Sequence, residues 1–163
     1  MGMKVEAVAL ATLVLDPSNA RKHATKNLEA IKGSLAKFGQ QKPIVVGKGN
    51  VVIAGNGTLE AARALGWDKI DVVRTKLEGP EAIAFAIADN RTGELAEWDS
   101  GVLSETLKSL QAMDFDLGAI GFDHVDMVAL APPTFEPVGE DEQGKLDEKA
   151  KTSCPECGHE FTP

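Results

Sequence analysis

Residues 51–66 read VVIAGNGTLEAARALG, and no other segment limits the fold so closely. Val51, Val52 and Ile53 are β-branched and suit a buried strand. Gly55-Asn56-Gly57 has turn chemistry, and the run from Thr58 to Leu65 has helical composition that Gly66 closes. A strand that turns through glycines into a helix leaves the first helical N–H groups unpaired. It also aims the positive end of the helix dipole at whatever occupies the turn, an arrangement that favours phosphate. Gly55 and Gly57 permit close backbone approach, Thr58 offers a hydroxyl, and Arg63 follows about a turn and a half later. The loop is not a Walker A loop, since no Lys-Ser/Thr follows. Nor is it the G-x-G-x-x-G of a dinucleotide fold, since Glu60 stands at the third glycine. Taken alone, the segment also reads as a plain turn without a ligand.

The flanking segments supply the rest of a mixed domain. Val5 to Leu15 reads as extended, and DPSNARKHA after it is rich in turn formers. Thr25 is the expected N-cap of a helix whose apolar face carries Leu28, Ile31, Leu35 and Phe38, with Gly39 as its stop. PIVVGKGNVVIAG predicts a β-hairpin, and IDVVRT another strand. Beyond Glu81 the composition turns helical. EAIAFAIADN, SGVLSETLKSLQAM and DHVDMVAL are the expected helices, with ELAEWD and the apparent turn FDLGAIGFD between them. The expected fold is α/β (α+β): a small mixed sheet with helices over 1–79, continued by an acidic helical subdomain over 80–130. An acidic, Pro-containing linker (131–152) and a CxxC tail (153–163) follow.

Charge narrows the function. The 163 residues carry a net charge of −8, but residues 1–79 hold twelve basic and seven acidic side chains, against two and ten in 80–130. An acidic whole argues against coating DNA by charge alone, because such binding rests on neutralising phosphates. The basic half can hold phosphates, or its lysines can simply be solvated faces. No apolar run nears the roughly 20 residues of a membrane span. The N-terminal stretch reads as a strand with neither a signal-peptide nor a myristoylation pattern. The expectation is a cytoplasmic protein with no membrane partner.

Four motifs in order, DPSNARKH, KFGQQKPIVV, VVIAGNGTLEAARALGW and AIADNRTGELAEWD, resemble the ParB/sulfiredoxin-like domain over residues 7–125. The nearer likeness is to the phage and mobile-element branch often found beside DNA methyltransferases. The resemblance implies a ParB-like module that binds a nucleoside triphosphate with Mg²⁺ and acts in DNA transactions, as a homodimer or adaptor. It implies that Gln41 and Lys42 line the pocket and that Gly55, Asn56, Gly57 and Thr58 hold phosphates. Arg21 and Arg63 supply charge, while Asp89 and Asn90 hold the metal. A carboxylate and an amide oxygen are hard donors suited to Mg²⁺. Capping of a helix C-terminus is the other reading of Asp89-Asn90. This chain departs from the G-E-R-R-x-R-A of ParB partition proteins: Gly55 to Ala61 carries no arginine, and Glu60 reverses one charge. Sulfiredoxins place a nucleophilic cysteine in this loop and this chain has none there, which argues against sulfinic-acid repair. The acidic 80–130 region is also a poor face for a major groove.

Two alternatives remain. Some members of the superfamily are described as nucleases, and Asp16, Glu60 and Asp89 are the carboxylates a metal-dependent nuclease or nucleotide phosphohydrolase would use, with Asp89 and Glu60 the catalytic candidates. The tail CPECGHEF resembles one knuckle of a zinc ribbon, with Cys154, Cys157 and His159 as ligands. A structural site needs four, so a second copy or a partner would complete it. That permits a third role, a zinc-dependent interaction protein with a vestigial pocket. His23 and His124 are isolated in sequence and carry no assignment. Trp67 and Trp98 read as core or interface.

Overall fold

The computed structural model describes residues 3–131 and 151–161. It divides into two units, Met1–Ala131 and Pro132–Pro163. The expected linker falls almost wholly outside the described residues.

The first unit is a five-stranded mixed sheet with helices. Strands β1 (Val5–Ala9), β2 (Val14–Leu15), β3 (Ile44–Val46), β4 (Val51–Ala54) and β5 (Lys69–Arg74) lie in the order β1-β5-β3-β4-β2. β1 runs antiparallel to β5 and β3 antiparallel to β4, while β3–β5 and β2–β4 are parallel. The hairpin expected from PIVVGKGNVVIAG is therefore β3–β4, at the centre of the sheet. The expected continuous extension from Val5 to Leu15 is broken by a 3-10 turn at Leu10–Thr12, which buries Leu10. Such a turn delivers Leu10 and Leu13 into the core where an unbroken strand would alternate them with solvent.

Helices α1 (Thr25–Phe38) and α2 (Asn56–Ala64) pack against one another. The core is the buried face of α2 (Leu59, Ala61 and Ala62) with Leu35 of α1 and Ile44, Val46, Val52, Ile70 and Val72 of the sheet. Ala24, not Thr25, is the N-cap of α1. It has the extended backbone, and its carbonyl already accepts the Leu28 N–H at 3.0 Å, so Thr25 is inside the first turn. Gly39 ends the helix as expected, its N–H donating to Leu35 O at 2.9 Å.

Helices α3 (Gly79–Glu94), α4 (Ser100–Ala112) and α5 (His124–Leu130) complete this unit, with a 3-10 turn at Leu117–Ile120 inside the segment read as FDLGAIGFD. Trp67 packs partly buried against the core, whereas Trp98 is 74% exposed. No helix among the described residues is long and apolar enough to cross a membrane.

Helix α5 is held to α1 by charge. Asp123 and Asp126 form a reciprocal capping box, and Lys26 Nζ donates to Asp123 at 2.8 Å and to Asp126 at 3.3 Å. The Lys26 ammonium, then the Asp126 N–H, hold the Asp123 carboxyl down at about 2, against 3.8 for a free group. A lowered folded value means the contribution is complete above about pH 4 and fades as pH falls towards 2. Hydrogen exchange at the Asp126 and Met127 amides should rise above its intrinsic acid profile over that interval. Asp123→Asn should remove the pH dependence, and an unchanged wild-type profile would show that the tether carries nothing.

Candidate anion and nucleotide cleft

The cleft is built on the join between β4 and α2. Gly55 takes a φ of 97° there, and a Cβ on it would meet Ile44 Cγ2 at 2.5 Å. The helix begins at the next residue, so Asn56 and Gly57 belong to its first turn, not to a preceding loop. Leu59 N–H donates to Gly55 O at 3.0 Å. The N–H groups of Asn56, Gly57 and Thr58 precede any intrahelical acceptor, and they stand at the positive end of the α2 dipole.

Around that end is a cavity of about 150 Å³, lined by Gly55, Asn56, Gly57 and Thr58 from below, Arg21 and His23 from the loop before α1, and Asp89 and Asn90 from α3. It adjoins a second cavity of about 440 Å³ through Ile31 and Thr58; that one carries Phe38, Gln41 and Lys42. A third, of about 470 Å³, shares Asn19, Arg21 and Asn90 and adds Arg91 and Glu94. Together they reach the size at which small-molecule sites occur.

The expected site residues divide by what their side chains do. Asn56 is 7% exposed; its Oδ1 accepts the Asp16 N–H at 3.0 Å and its Nδ2 donates to Val52 O at 3.0 Å. The expected phosphate-binding side chain is thus a clamp between β2 and β4, and only its backbone N–H is left for an anion. Arg63 is likewise spent elsewhere. Its guanidinium donates to Leu13 O at 2.8 Å and Leu10 O at 3.3 Å, at the two ends of the 3-10 turn, and Arg63 does not line the cleft. Glu60 does not line it either. Asp16 turns its carboxylate back onto the Ser18 N–H at 2.8 Å.

Arg21 does reach the cleft, paired with Glu94, which also takes Arg91. Both partners are about half exposed, and such a pair is worth only about 0–1 kcal/mol, so Arg21 is readily released to a phosphate. Asp89 and Asn90 lie inside α3 rather than at its C-terminus. Asn90 Nδ2 donates to Ala86 O at 2.9 Å, leaving Oδ1 as the acceptor. Among the described residues no three His, Cys, Asp or Glu gather to hold a metal. The donor set fits a cation that takes one carboxylate, one amide oxygen and otherwise water and phosphate oxygens, as Mg²⁺ does.

Two residues without a sequence assignment prove central. Half-buried His23 packs on Gly57, where an added Cβ would lie 2.7 Å from its Cε1, and its Nδ1 is 2.7 Å from Asn27 Oδ1. Gln40 bonds β5 twice, accepting the Asp71 N–H at 2.7 Å and donating to Asp71 O at 2.8 Å, so the segment carrying Gln41 and Lys42 is fixed to the sheet. His23 stands in the loop before α1, so its pairing with Asn27 four positions on had no helical spacing to signal it.

In the second unit, β6 (Thr152–Ser153) and β7 (Glu160–Phe161) form a hairpin around Cys154 and Cys157. The Glu156 and Cys157 backbone N–H groups, then the Cys157 thiol, lower the Cys154 thiol below its ordinary value. His159, expected as a third ligand, is not gathered with the two cysteines.

A family model described as the ParB N-terminal domain matches residues 2–91. Of curated proteins, the ParB-like nuclease domain-containing protein YnaK of Escherichia coli (strain K12) is 33% identical over 55 residues. The match covers 34% of this chain and 63% of that protein. The C-terminally truncated chromosome-partitioning protein ParB of Caulobacter crescentus, in complex with CTP-gamma-S, shares the fold at a TM-score of 0.66 and 17% identity, covering 78% of this chain and 76% of its own. The same protein complexed to the centromeric parS site aligns at 0.46, with 17% identity and 77% and 69% coverage.

Proposed function

The chain belongs to the ParB N-terminal domain family, and from that premise we propose that its cleft binds a nucleoside triphosphate with Mg²⁺ in the service of a DNA transaction. The observation that carries this is the meeting of the unpaired α2 N–H groups with Arg21, His23, Asp89 and Asn90 around one cavity. In that reading the Asn56, Gly57 and Thr58 N–H groups and the Thr58 hydroxyl hold phosphate oxygens, and Arg21 leaves Glu94 to join them. Asp89 and Asn90 would hold Mg²⁺, which when bound offsets phosphate charge. The cavity beside Gln41 and Lys42 takes the base and sugar. The fold shared with a CTP-gamma-S-bound ParB supports cytidine triphosphate as the first ligand to try. The phage-type context and a homodimeric state belong to the same proposal.

Calorimetric titration of the chain with CTP, ATP and GTP in Mg²⁺ tests it. Saturable binding of one nucleotide is expected, weakened at least tenfold in Asp89→Ala, about 1.4 kcal/mol. No heat with any of the three would overturn the nucleotide reading. The hydrolase alternative is not favoured: Asp16 turns to Ser18, Glu60 is outside the cleft, and Asp89 is the one carboxylate lining the cavity at the α2 end. For the second unit, we propose that the cysteine hairpin is a zinc knuckle.

A further inference from the structure

The tail hairpin carries two of the four ligands that a closed zinc site takes. Its turn is pinned at both ends, Cys154 N–H donating to His159 O at 2.9 Å and Gly158 N–H to Cys154 O at 2.9 Å. Thiolates three residues apart on such a tight turn converge on one soft ion. Both thiols are free, Cys154 half-buried and Cys157 exposed, so neither is sealed in a core.

The ligand count then fixes the partner. Tetrahedral zinc takes four ligands. Among the described residues no third His, Cys, Asp or Glu joins the pair, and the 163 residues contain two cysteines in all. His159 is next to the turn, but its backbone carbonyl closes the hairpin and its ring is not gathered with the sulfurs. The other two ligands must come from outside the hairpin, and an identical hairpin is a source with matching geometry.

We infer that Cys154 and Cys157 form half of a tetrahedral zinc site that a second copy of this chain completes with the same two residues. Four thiolates on one Zn²⁺ carry a net −2 charge. Zinc binding would release the protons still held by the four thiols. The inference rests on the zinc-knuckle reading above and adds to it the ligand set and the partner.

The test is metal titration of the full chain, reduced and freed of metal, with Co²⁺ as spectroscopic probe and then Zn²⁺. Saturation is expected at one ion per two chains, with the intense thiolate charge-transfer and visible bands of a four-sulfur tetrahedral site. His159→Ala should keep both stoichiometry and spectrum, while Cys157→Ser should lose them with the circular dichroism of the α/β unit unchanged. One ion per chain, with His159→Ala altering the spectrum, would overturn the sharing and leave the knuckle standing. No bound ion would overturn both. Stoichiometry and spectrum decide the question even if the chain is already dimeric without metal.

Discussion

Gly55→Ala should destabilise the first unit by about 2–5 kcal/mol. Two effects combine. A non-glycine residue in the left-handed region costs about 1–2 kcal/mol, and Gly55 has φ 97°. The added Cβ would also lie 2.5 Å from Cγ2 and 2.9 Å from Cβ of Ile44, itself 3% exposed and locked in the β3 core. Overpacking of that kind costs roughly 1–3 kcal/mol more. Gly79→Ala separates the two, since Gly79 has φ 55° with nothing within 4 Å of an added Cβ, so it should cost only the backbone part. Urea unfolding of the three proteins measures this. If Gly55→Ala costs no more than Gly79→Ala, Ile44 yields freely and the β4–α2 join is not as rigid as the packing indicates.

That rigidity bears on function. The join sets where the α2 N–H groups are, and its neighbours Val52 and Leu59 are fully buried. A phosphate site needs its donors held before the anion arrives, because ordering them afterwards subtracts from affinity. Asn56 serves the same end. By clamping Asp16 to Val52 it ties the short strand β2 to the sheet, and with it the start of the Asp16–His23 loop that brings Arg21 and His23 over the helix. The residue expected to bind phosphate thus helps shape the cleft from behind.

The β3–β4 hairpin, the amphipathic α1 and the β4–α2 passage were legible because each is a local pattern: β-branched runs around Gly-Lys-Gly-Asn, apolar residues at helical spacing, glycines before a helix. The 3-10 turn at Leu10–Thr12 was not, since Val5 to Leu15 is uniformly compatible with extension and only tertiary burial of Leu10 and Leu13 selects the break. Arg63 follows from that miss. Nothing in the sequence says that its charge is already engaged by the Leu10 and Leu13 carbonyls at that turn. His23 was illegible for the converse reason, as its partner Gly57 is thirty-four positions away and carries no side chain to signal contact. At Asp89 and Asn90 the residue types were readable, but their position inside a sixteen-residue helix came only from the fold.

The pairing of His23 with Gly57 makes the sharpest separation between stability and binding. Gly57→Ala should change the stability of the fold by no more than about 1 kcal/mol in either direction, because alanine's helix preference in the first turn of α2 is offset by the bond that His23 gives up. Binding should fall. An added Cβ would lie 2.7 Å from His23 Cε1 and 2.9 Å from both ring nitrogens, so the imidazole must leave the helix end and its bond to Asn27 must break. With the ring displaced and a methyl beside the N–H groups, nucleotide affinity should fall at least tenfold, about 1.4 kcal/mol. The single variant His23→Ala then decides what the ring does. It removes the imidazole without adding the methyl, so affinity that falls assigns His23 a direct part in holding the anion. Affinity that stays at the wild-type value would reduce His23 to a filler, and the grip would then rest on Arg21 and the helix end alone.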